Sequence, residues 1–217
     1  MKIAIISDIH GERKKLRQVL ESIALHEVDH IYCLGDLFEC KISKTHLHTF
    51  QFSFLDQVVD HDPKLYKRLK NISCITGNQE ERIRSLIPLY QADQDLRFYL
   101  TLPQAIELSD ARLEHGHQFV NEENWFPYPR QMKKHLLFFG HTHYSRLFQV
   151  RWAGKKWSPE KKPFDFGTPI QLDPARYWAI NVGSIKGQNP EWVLYEEELG
   201  QVTFFRENEL PSIDKST

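Results

Sequence analysis

The stretch Ser7-Asp8-Ile9-His10-Gly11 directly follows the first apolar run of the chain, Ile3-Ala4-Ile5-Ile6. A continuous apolar run with β-branched residues is typical of a buried strand, so we predict a strand from Met1 to Ser7. A carboxylate and an imidazole, two residues apart, then stand where this strand ends and a loop begins. Both groups are metal ligands in proteins, and the stretch therefore predicts part of a metal site.

The composition is that of an ordinary globular protein, with 217 residues of which 41% are hydrophobic and 26% charged. We predict an α/β fold with a single domain over residues 1–206, inserts at about 41–71 and 151–176, and a polar tail at 207–217. The net charge of −1 gives no overall electrostatic case for nucleic-acid or membrane binding.

The sequence indicates a cytoplasmic, chemically reduced setting. Its apolar runs fall well short of the roughly 20 residues of a membrane span, and the N-terminal apolar segment is too short for a signal peptide. The three cysteines, Cys33, Cys40 and Cys74, are odd in number and lack the spacing of a zinc knuckle. Cysteines used in this way are typical of reducing compartments.

Further strands and helices are predicted from hydrophobic periodicity. Buried strands are expected at residues 30–34, 72–76, 136–139 and 177–180. Hairpins are expected to join 104–108 to 111–114 and 192–195 to 201–206. Within residues 146–157, strands are expected on both sides of Ala153-Gly154. Helices are expected at 13–26, 45–59, 62–69 and 81–90, and residues 158–176 are expected to form an excursion.

Potential ligands follow five of the predicted strands. All are oxygen or nitrogen donors at the carboxyl end of a strand: Asp8, His10, Asp36, Asn78, His115, His141 and His143. Open α/β sheets bind ligands outside the carboxyl ends of their strands, so we expect these side chains to meet. Such a donor set suits Mn²⁺, Fe or Zn²⁺ better than a soft metal.

The number of donors exceeds what one tetrahedral ion takes, and it fits two ions that share a bridging carboxylate. Two metals about 3.5–4 Å apart can hold both the attacking and the leaving oxygen of an in-line phosphoryl displacement. A hydroxide held between them is a nucleophile near neutral pH. The sequence therefore predicts metal-dependent phosphoryl chemistry.

These motifs resemble those of the calcineurin-like metallophosphoesterase superfamily. The resemblance rests on five segments that together span most of the chain: residues 7–11, 35–36, 77–80, 115–117 and 140–143. The chain length and the segment Asn181-Val182-Gly183-Ser184 are most similar to the small bacterial and archaeal phosphodiesterase-type branch. The resemblance implies a four-layer α/β/β/α sandwich with a dinuclear site at the strand ends.

The resemblance also implies two ligand sets. One metal would be held by Asp8, His10, Asp36 and His143. The other would be held by Asp36, Asn78, His115 and His141. Asp36 would thus bridge the ions, and Mn²⁺ is the expected metal, with Fe, Zn²⁺ or Ni²⁺ as alternatives.

Gln79 is the main departure from the family. Many members carry a histidine after the Gly-Asn pair, and that imidazole contacts the phosphate and can protonate the leaving oxygen. An amide donates a hydrogen bond but is no general acid near pH 7. His117 is either a substitute proton donor or a histidine outside the reaction. The candidate catalytic residues are therefore Asp36, Asn78, Gln79 and His117.

Other features leave two interpretations open. Arg13 and Arg82 follow two of the motifs, and they either reach phosphate oxygens or are solvated charges. The basic, aromatic segment 151–162 either stacks on a nucleotide or a nucleic acid or covers a sheet edge. The segment after Asp36 lacks the arginine of the protein serine/threonine phosphatase branch, which argues against that branch.

The expected activity is metal-dependent hydrolysis of phosphodiester or nucleotide-polyphosphate bonds in a small-molecule substrate. Without a strong general acid, esters with good leaving groups should react best and alkyl monoesters should suffer most. The alternatives are a broad phosphomonoesterase, a nuclease and a non-catalytic metal-binding scaffold.

Overall fold

Two six-stranded sheets form the framework of the computed structural model, which describes residues 1–60 and 62–208. The strands are β1 (Lys2–Ile6), β2 (His30–Cys33), β3 (Ser73–Cys74), β4 (Ala105–Glu107), β5 (Ala111–Glu114), β6 (Leu136–Phe139), β7 (Ser145–Trp152), β8 (Trp157–Lys162), β9 (Ile170–Gln171), β10 (Tyr177–Val182), β11 (Glu191–Glu196) and β12 (Gln201–Arg206). The helices are α1 (Arg13–Ile23), α2 (Pro63–Leu69), α3 (Asn78–Leu86) and α4 (Gln94–Leu100). Most of the predicted tail at 207–217 lies outside the described residues.

Both sheets are mixed. The first has the strand order β3-β2-β1-β11-β12-β9 and the second β4-β5-β6-β10-β7-β8. The strands β1, β2 and β3 run parallel to one another, as do β5, β6 and β10. The carboxyl ends of each parallel set therefore lie at one edge of its sheet, which is where the predicted ligands stand.

The alternation of side chains along β1 supplies two different cores. Ile3 and Ile5 face the apolar layer between the two sheets, whereas Ala4 and Ile6 face the helices. This period of two follows from the pleat of a strand. A strand that is apolar on both faces is therefore buried on both sides, as the sequence predicted.

The two outer faces of the sandwich are covered differently. All four helices contribute buried residues to the cluster on the first sheet. The outer face of the second sheet is covered by residues 119–132, through Phe119, Phe126 and Met132, and the described part of that cluster contains no helical residue. The α/β sandwich is thus confirmed, with an irregular segment as its fourth layer.

The helix predicted at 45–59 is wrong. The described structure has only short 3₁₀ turns there, Lys44–His46 and Leu55–Gln57, in a loop whose ends pair at Cys40 and Val59. The segment is rich in serine, threonine and histidine, which are weak helix formers. Several of its apolar side chains pack against the helical core although the segment is not a helix, so their helix-like spacing led to a wrong prediction.

Two other predictions need correction, and one helix was not predicted. The helix predicted at 81–90 is α3, which begins at Asn78 because the Glu80 carboxylate accepts the Gly77 N–H at its start. The helix α4 was not predicted, although Asp93 caps it by accepting the Leu96 N–H. The excursion expected at 158–176 is wrong over residues 158–162, which belong to β8, and at Ile170–Gln171, which form β9.

None of the helices in the described part of the chain is long and apolar enough to cross a membrane.

Candidate metal centre

The backbone at the strand ends adopts an unusual conformation. Five of the predicted ligands have a positive φ, between 48° and 70°: Asp8, His10, Asp36, His141 and His143. Residues other than glycine rarely adopt this left-handed conformation, since it costs energy. Such strain persists where the surrounding structure imposes it, and it clusters at functional sites.

Two glycines allow the loops to approach the carboxylates. A Cβ at Gly77 would collide with Asp36, and one at Gly140 would collide with Ser7 and Asp8. Gly11 is different, because a Cβ at this position would meet no described atom within 4 Å. Its φ of +78° shows that it is needed for chain direction instead.

Asp8, His10 and His143 form the first group of potential ligands. The Asp8 Oδ1 atom lies 3.3 Å from His143 Nε2 and 3.8 Å from His10 Nε2, and the two imidazole nitrogens are 3.2 Å apart. Three donor atoms of this group lie within 4.8 Å of one another, as a shared cation requires. Among the described residues, Asp8 Oδ1 is buried without a hydrogen-bond partner.

Asp36 and His115 extend this cluster. The Asp36 Oδ2 atom lies 3.4 Å from His115 Nε2 and 3.6 Å from His10 Nε2, and Asp8, Asp36 and His115 form a second group within 4.8 Å. The oxygen of Asn78 lies 2.9 Å from His115 Nε2. The His141 ring is 5.2 Å from that of His115, so all seven predicted ligands lie at one edge of the sandwich.

The donor set fits divalent cations. Asp8 and Asp36 are two buried carboxylates side by side, and burying such charges is costly unless they are paired or bind metal. Their neighbours are imidazole and amide groups, without a thiolate among the described members of the cluster. Together with the Asp8 oxygen that has no hydrogen-bond partner among the described residues, this arrangement fits hard or borderline metal ions.

The titration of these groups reflects their mutual attraction. Burial raises the pKa of Asp8 and Asp36, but the adjacent histidines outweigh burial and hold both below the usual range. Burial lowers the pKa of His115, but Asp36 and Asp8 raise it to about 10. Burial and the charge of His115 lower the pKa of His141 to about 4.

Glu80 fixes the loop that carries Asp36. Its buried carboxylate accepts the backbone N–H groups of Asp36 at 2.9 Å, Leu37 at 2.8 Å, Phe38 at 3.2 Å and Gly77 at 2.8 Å. Burial and the Asp36 charge raise the pKa of Glu80 to about 7. Glu80 stands in the Gly77–Glu80 motif, but its neighbours in the sequence do not predict this role.

Glu39 orients His10. Its Oε2 atom lies 2.7 Å from His10 Nδ1, and Lys186 donates to the same oxygen at 2.6 Å. A carboxylate on the far nitrogen of a histidine fixes the ring and directs the other nitrogen to a metal. The sequence does not predict this role for Glu39, because the contact joins residues 29 positions apart.

Removing this carboxylate tests its role. We expect Glu39→Ala to weaken binding of Mn²⁺ by roughly 10- to 100-fold, the usual effect of losing a partner behind a metal ligand. Lys186→Met is the control, since it leaves the contact between His10 and Glu39 in place and should change affinity far less. Calorimetric titration with Mn²⁺ measures both, and wild-type affinity in Glu39→Ala would contradict the assignment.

Asn181 and Ser184 hold neighbouring loops of the site. The Asn181 amide donates to Gly140 O at 2.9 Å and Thr142 Oγ1 at 2.8 Å. The Ser184 hydroxyl donates to Asp8 O at 3.2 Å. These bonds connect the end of β10 to the loops that carry the ligands after β6 and β1.

Gln79 and His117 were predicted as catalytic candidates. The Gln79 side-chain oxygen accepts from Cys40 N at 3.1 Å, in the loop after β2, and from Arg82 Nη1 at 3.0 Å, within α3. His117 Nε2 lies 3.1 Å from Glu81 Oε2, and the His117 ring is 5.4 Å from that of His115. Burial and the charge of His115 lower the pKa of His117.

The two arginines considered for phosphate contact bond to other groups of the protein. Arg13 pairs with Asp62 at 2.9 Å, and Arg82 donates to Gln79 and to the carbonyl of Ile42. The turn of segment 151–162 lies at the far end of β7, where Trp152 is about 23 Å from the start of that strand, and β8 then runs back along β7 until Lys162 pairs with Leu147. Its tryptophans, Trp152 and Trp157, contact each other.

Comparison with known families decides where the chain belongs. The calcineurin-like phosphoesterase superfamily domain matches residues 1–196, which include all the predicted ligands. The chain belongs to this family. The resemblance seen in the sequence is therefore confirmed, and with it the conclusion that the chain is a metal-dependent hydrolase of phosphoric esters. A comparison with curated proteins finds no match.

Several solved structures of phosphoesterases are similar to this chain. A metallophosphoesterase from Sphaerobacter thermophilus is 18% identical with a TM-score of 0.66, over 97% of this chain and 89% of that one. YfcE, a phosphoesterase from E. coli, is 20% identical with a TM-score of 0.46, over 91% and 89%. An archaeal phosphodiesterase is 15% identical with a TM-score of 0.49, over 95% and 99%.

Proposed function

We propose that this calcineurin-like phosphoesterase hydrolyses phosphodiester or nucleotide-polyphosphate bonds with the help of two divalent metal ions. The single observation that carries the proposal is the pair of buried carboxylates, Asp8 and Asp36, inside one cluster of oxygen and nitrogen donors. The lack of a described hydrogen-bond partner for Asp8 Oδ1 supports a cation there.

The proposed ligand sets are those that the family resemblance implies, and the grouping of Asp8, His10 and His143 supports the first of them. One ion would be held by Asp8, His10, Asp36 and His143. The other would be held by Asp36, Asn78, His115 and His141. When bound, two such ions would lower the pKa of water to give a nucleophile and would stabilise the charge that develops on the phosphoryl group. Mn²⁺ is the proposed metal.

The protein fixes the ring orientation of two of these donors, His115 and His10, before a metal binds. His115 Nδ1 lies 2.7 Å from the carbonyl oxygen of Leu34, which can only accept, so Nδ1 carries a proton and Nε2 faces Asp36. Glu39 has the same effect on His10. Both histidines therefore direct Nε2 into the cluster without a change of ring orientation, and binding of a metal would release the proton that His115 Nε2 donates to Asn78 Oδ1.

The residue after Asn78 supports the preference for esters with good leaving groups. Gln79 has no titratable group, and its oxygen is held by Cys40 and Arg82. A general acid contributes roughly 10²- to 10⁴-fold to such reactions. Alkyl monoesters depend most on that contribution, whereas aryl diesters and polyphosphates have leaving groups that depart without it.

A substrate panel tests the proposal. With Mn²⁺ present, we expect kcat/KM for bis-p-nitrophenyl phosphate or a dinucleoside polyphosphate to exceed that for glycerol phosphate by at least about tenfold. Faster turnover of the alkyl monoester would contradict the preference and favour a broad phosphomonoesterase. Binding of Mn²⁺ without turnover of any ester would favour a non-catalytic scaffold.

A further inference from the structure

The segment 121–127 brings an aromatic side chain to the metal cluster. The Trp125 ring centroid lies 6.4 Å from that of His141, with the two ring planes at 60°. This segment connects β5 to β6 along the chain. In the folded chain it places a large planar side chain beside one of the proposed ligands.

Trp125 is held there by an unusual backbone conformation. Its φ of 59° lies in the left-handed region, where a bulky side chain is a genuine outlier. Its N–H donates to Asn121 O at 2.7 Å, and its carbonyl accepts from Arg146 at 3.2 Å. The loop therefore imposes the conformation, and strain of this kind is characteristic of functional positions.

Hydrogen bonds and packing hold the loop in position. Asn121 Oδ1 accepts the N–H of Glu123 at 2.7 Å, and Asn124 Oδ1 accepts that of Phe126 at 2.9 Å. The Phe126 ring packs 5.1 Å from that of Phe148 in the outer core. The neighbour of Trp125 thus anchors the loop, while Trp125 itself is directed towards the site.

Core packing does not account for this placement. Trp125 remains 37% exposed, although tryptophan is a residue that gains much from burial. It stands beside His141 at the rim where a phosphate ester would meet the metals. A group attached to that phosphate would lie within reach of the indole ring.

We propose that Trp125 determines specificity by stacking on a planar aromatic group of the substrate, such as the base of a nucleotide. The inference rests on the proposed function, since it names a feature of the ester that the metal centre would hydrolyse. Stacking of a base on an aromatic side chain tolerates different bases, because every base has a π face. Trp125 would therefore select nucleotide or aryl esters over alkyl esters without selecting one base.

Two ligands that differ only in the base isolate this contact. Adenosine 5′-monophosphate and ribose 5-phosphate carry the same phosphate and sugar, so the ratio of their affinities reports on the base alone. We expect the Mn²⁺-loaded protein to bind the nucleotide roughly tenfold tighter, within the range of measured base stacking. Isothermal titration calorimetry measures both dissociation constants independently of turnover.

Three variants complete the test. Trp125→Leu should remove the preference for the nucleotide and leave the affinity for ribose 5-phosphate unchanged, whereas Trp125→Phe should retain most of the preference. Trp152→Leu makes the same change on an exposed tryptophan of the distant hairpin, 56% exposed, and should have no effect. An unchanged ratio in Trp125→Leu would overturn the assignment. Equal weakening of both ligands, or a loss in Trp152→Leu instead, would overturn it as well.

The two proposals fail in different ways. If the wild-type protein hydrolyses bis-p-nitrophenyl phosphate but Trp125→Leu keeps the nucleotide preference, only the role of Trp125 is wrong. If the wild-type protein hydrolyses none of the esters in the panel with any divalent metal, the proposed function itself is wrong.

Discussion

Asp36→Asn will reduce metal-dependent ester hydrolysis by roughly 10³-fold or more, because the proposed site loses the carboxylate shared by both ions. The substitution preserves side-chain volume. It also retains an oxygen that can accept the Gln79 N–H, which Asp36 Oδ1 accepts at 2.8 Å. The folded structure should therefore survive, so that the loss reports on metal binding.

Thermal unfolding separates loss of metal from loss of fold. Added Mn²⁺ should raise the melting temperature of the wild-type protein, since a ligand that binds only the folded state stabilises it. Asp36→Asn should show a much smaller rise. Asp165→Asn, a change at an exposed position, should behave as wild type. Full activity in Asp36→Asn, or an equal rise with Mn²⁺, would be inconsistent with a bridging role.

Glu80→Ala will lower the free energy of unfolding by about 3–5 kcal/mol. Four buried backbone N–H groups lose their acceptor together, and unpaired buried donors are costly. The same bonds hold Asp36 in its strained conformation, with φ at 53°. We therefore expect metal affinity to fall along with stability.

Denaturant titration of the metal-free proteins measures the effect of Glu80. Glu80→Gln keeps one acceptor oxygen and should lose less stability than Glu80→Ala. Glu21→Ala makes the same truncation at an exposed position, where the pair with Arg17 contributes little, and should change stability by less than about 0.5 kcal/mol. A loss in Glu80→Ala no larger than in Glu21→Ala would show that the loop is held by other contacts.

The sequence predicts the strand framework and the candidate ligands because both are local signals. Each ligand follows an apolar run that can be recognised by itself, and parallel neighbouring strands end at the same edge. The buried run before Asp8 is such a signal, and its alternation between two cores follows from the pleat alone. The family resemblance adds the ligand sets but does not place the supporting residues.

The residues that hold the site could not be found in this way. Glu80 bonds to Asp36, 44 positions away, and Ser184 bonds to the carbonyl of Asp8, 176 positions away. Such contacts depend on the complete fold. The conformation of the loop at 41–59 and the approach of Trp125 to His141 likewise depend on tertiary contacts that periodicity does not contain.

The number of metal ions that the active protein requires tests the central claim most directly. Metal-free protein is titrated with Mn²⁺ while bound metal and hydrolysis of bis-p-nitrophenyl phosphate are measured together. We predict two ions per chain, with full hydrolysis reached only when the second ion binds. Full hydrolysis with one ion per chain, or with none, would contradict a dinuclear centre built on Asp36.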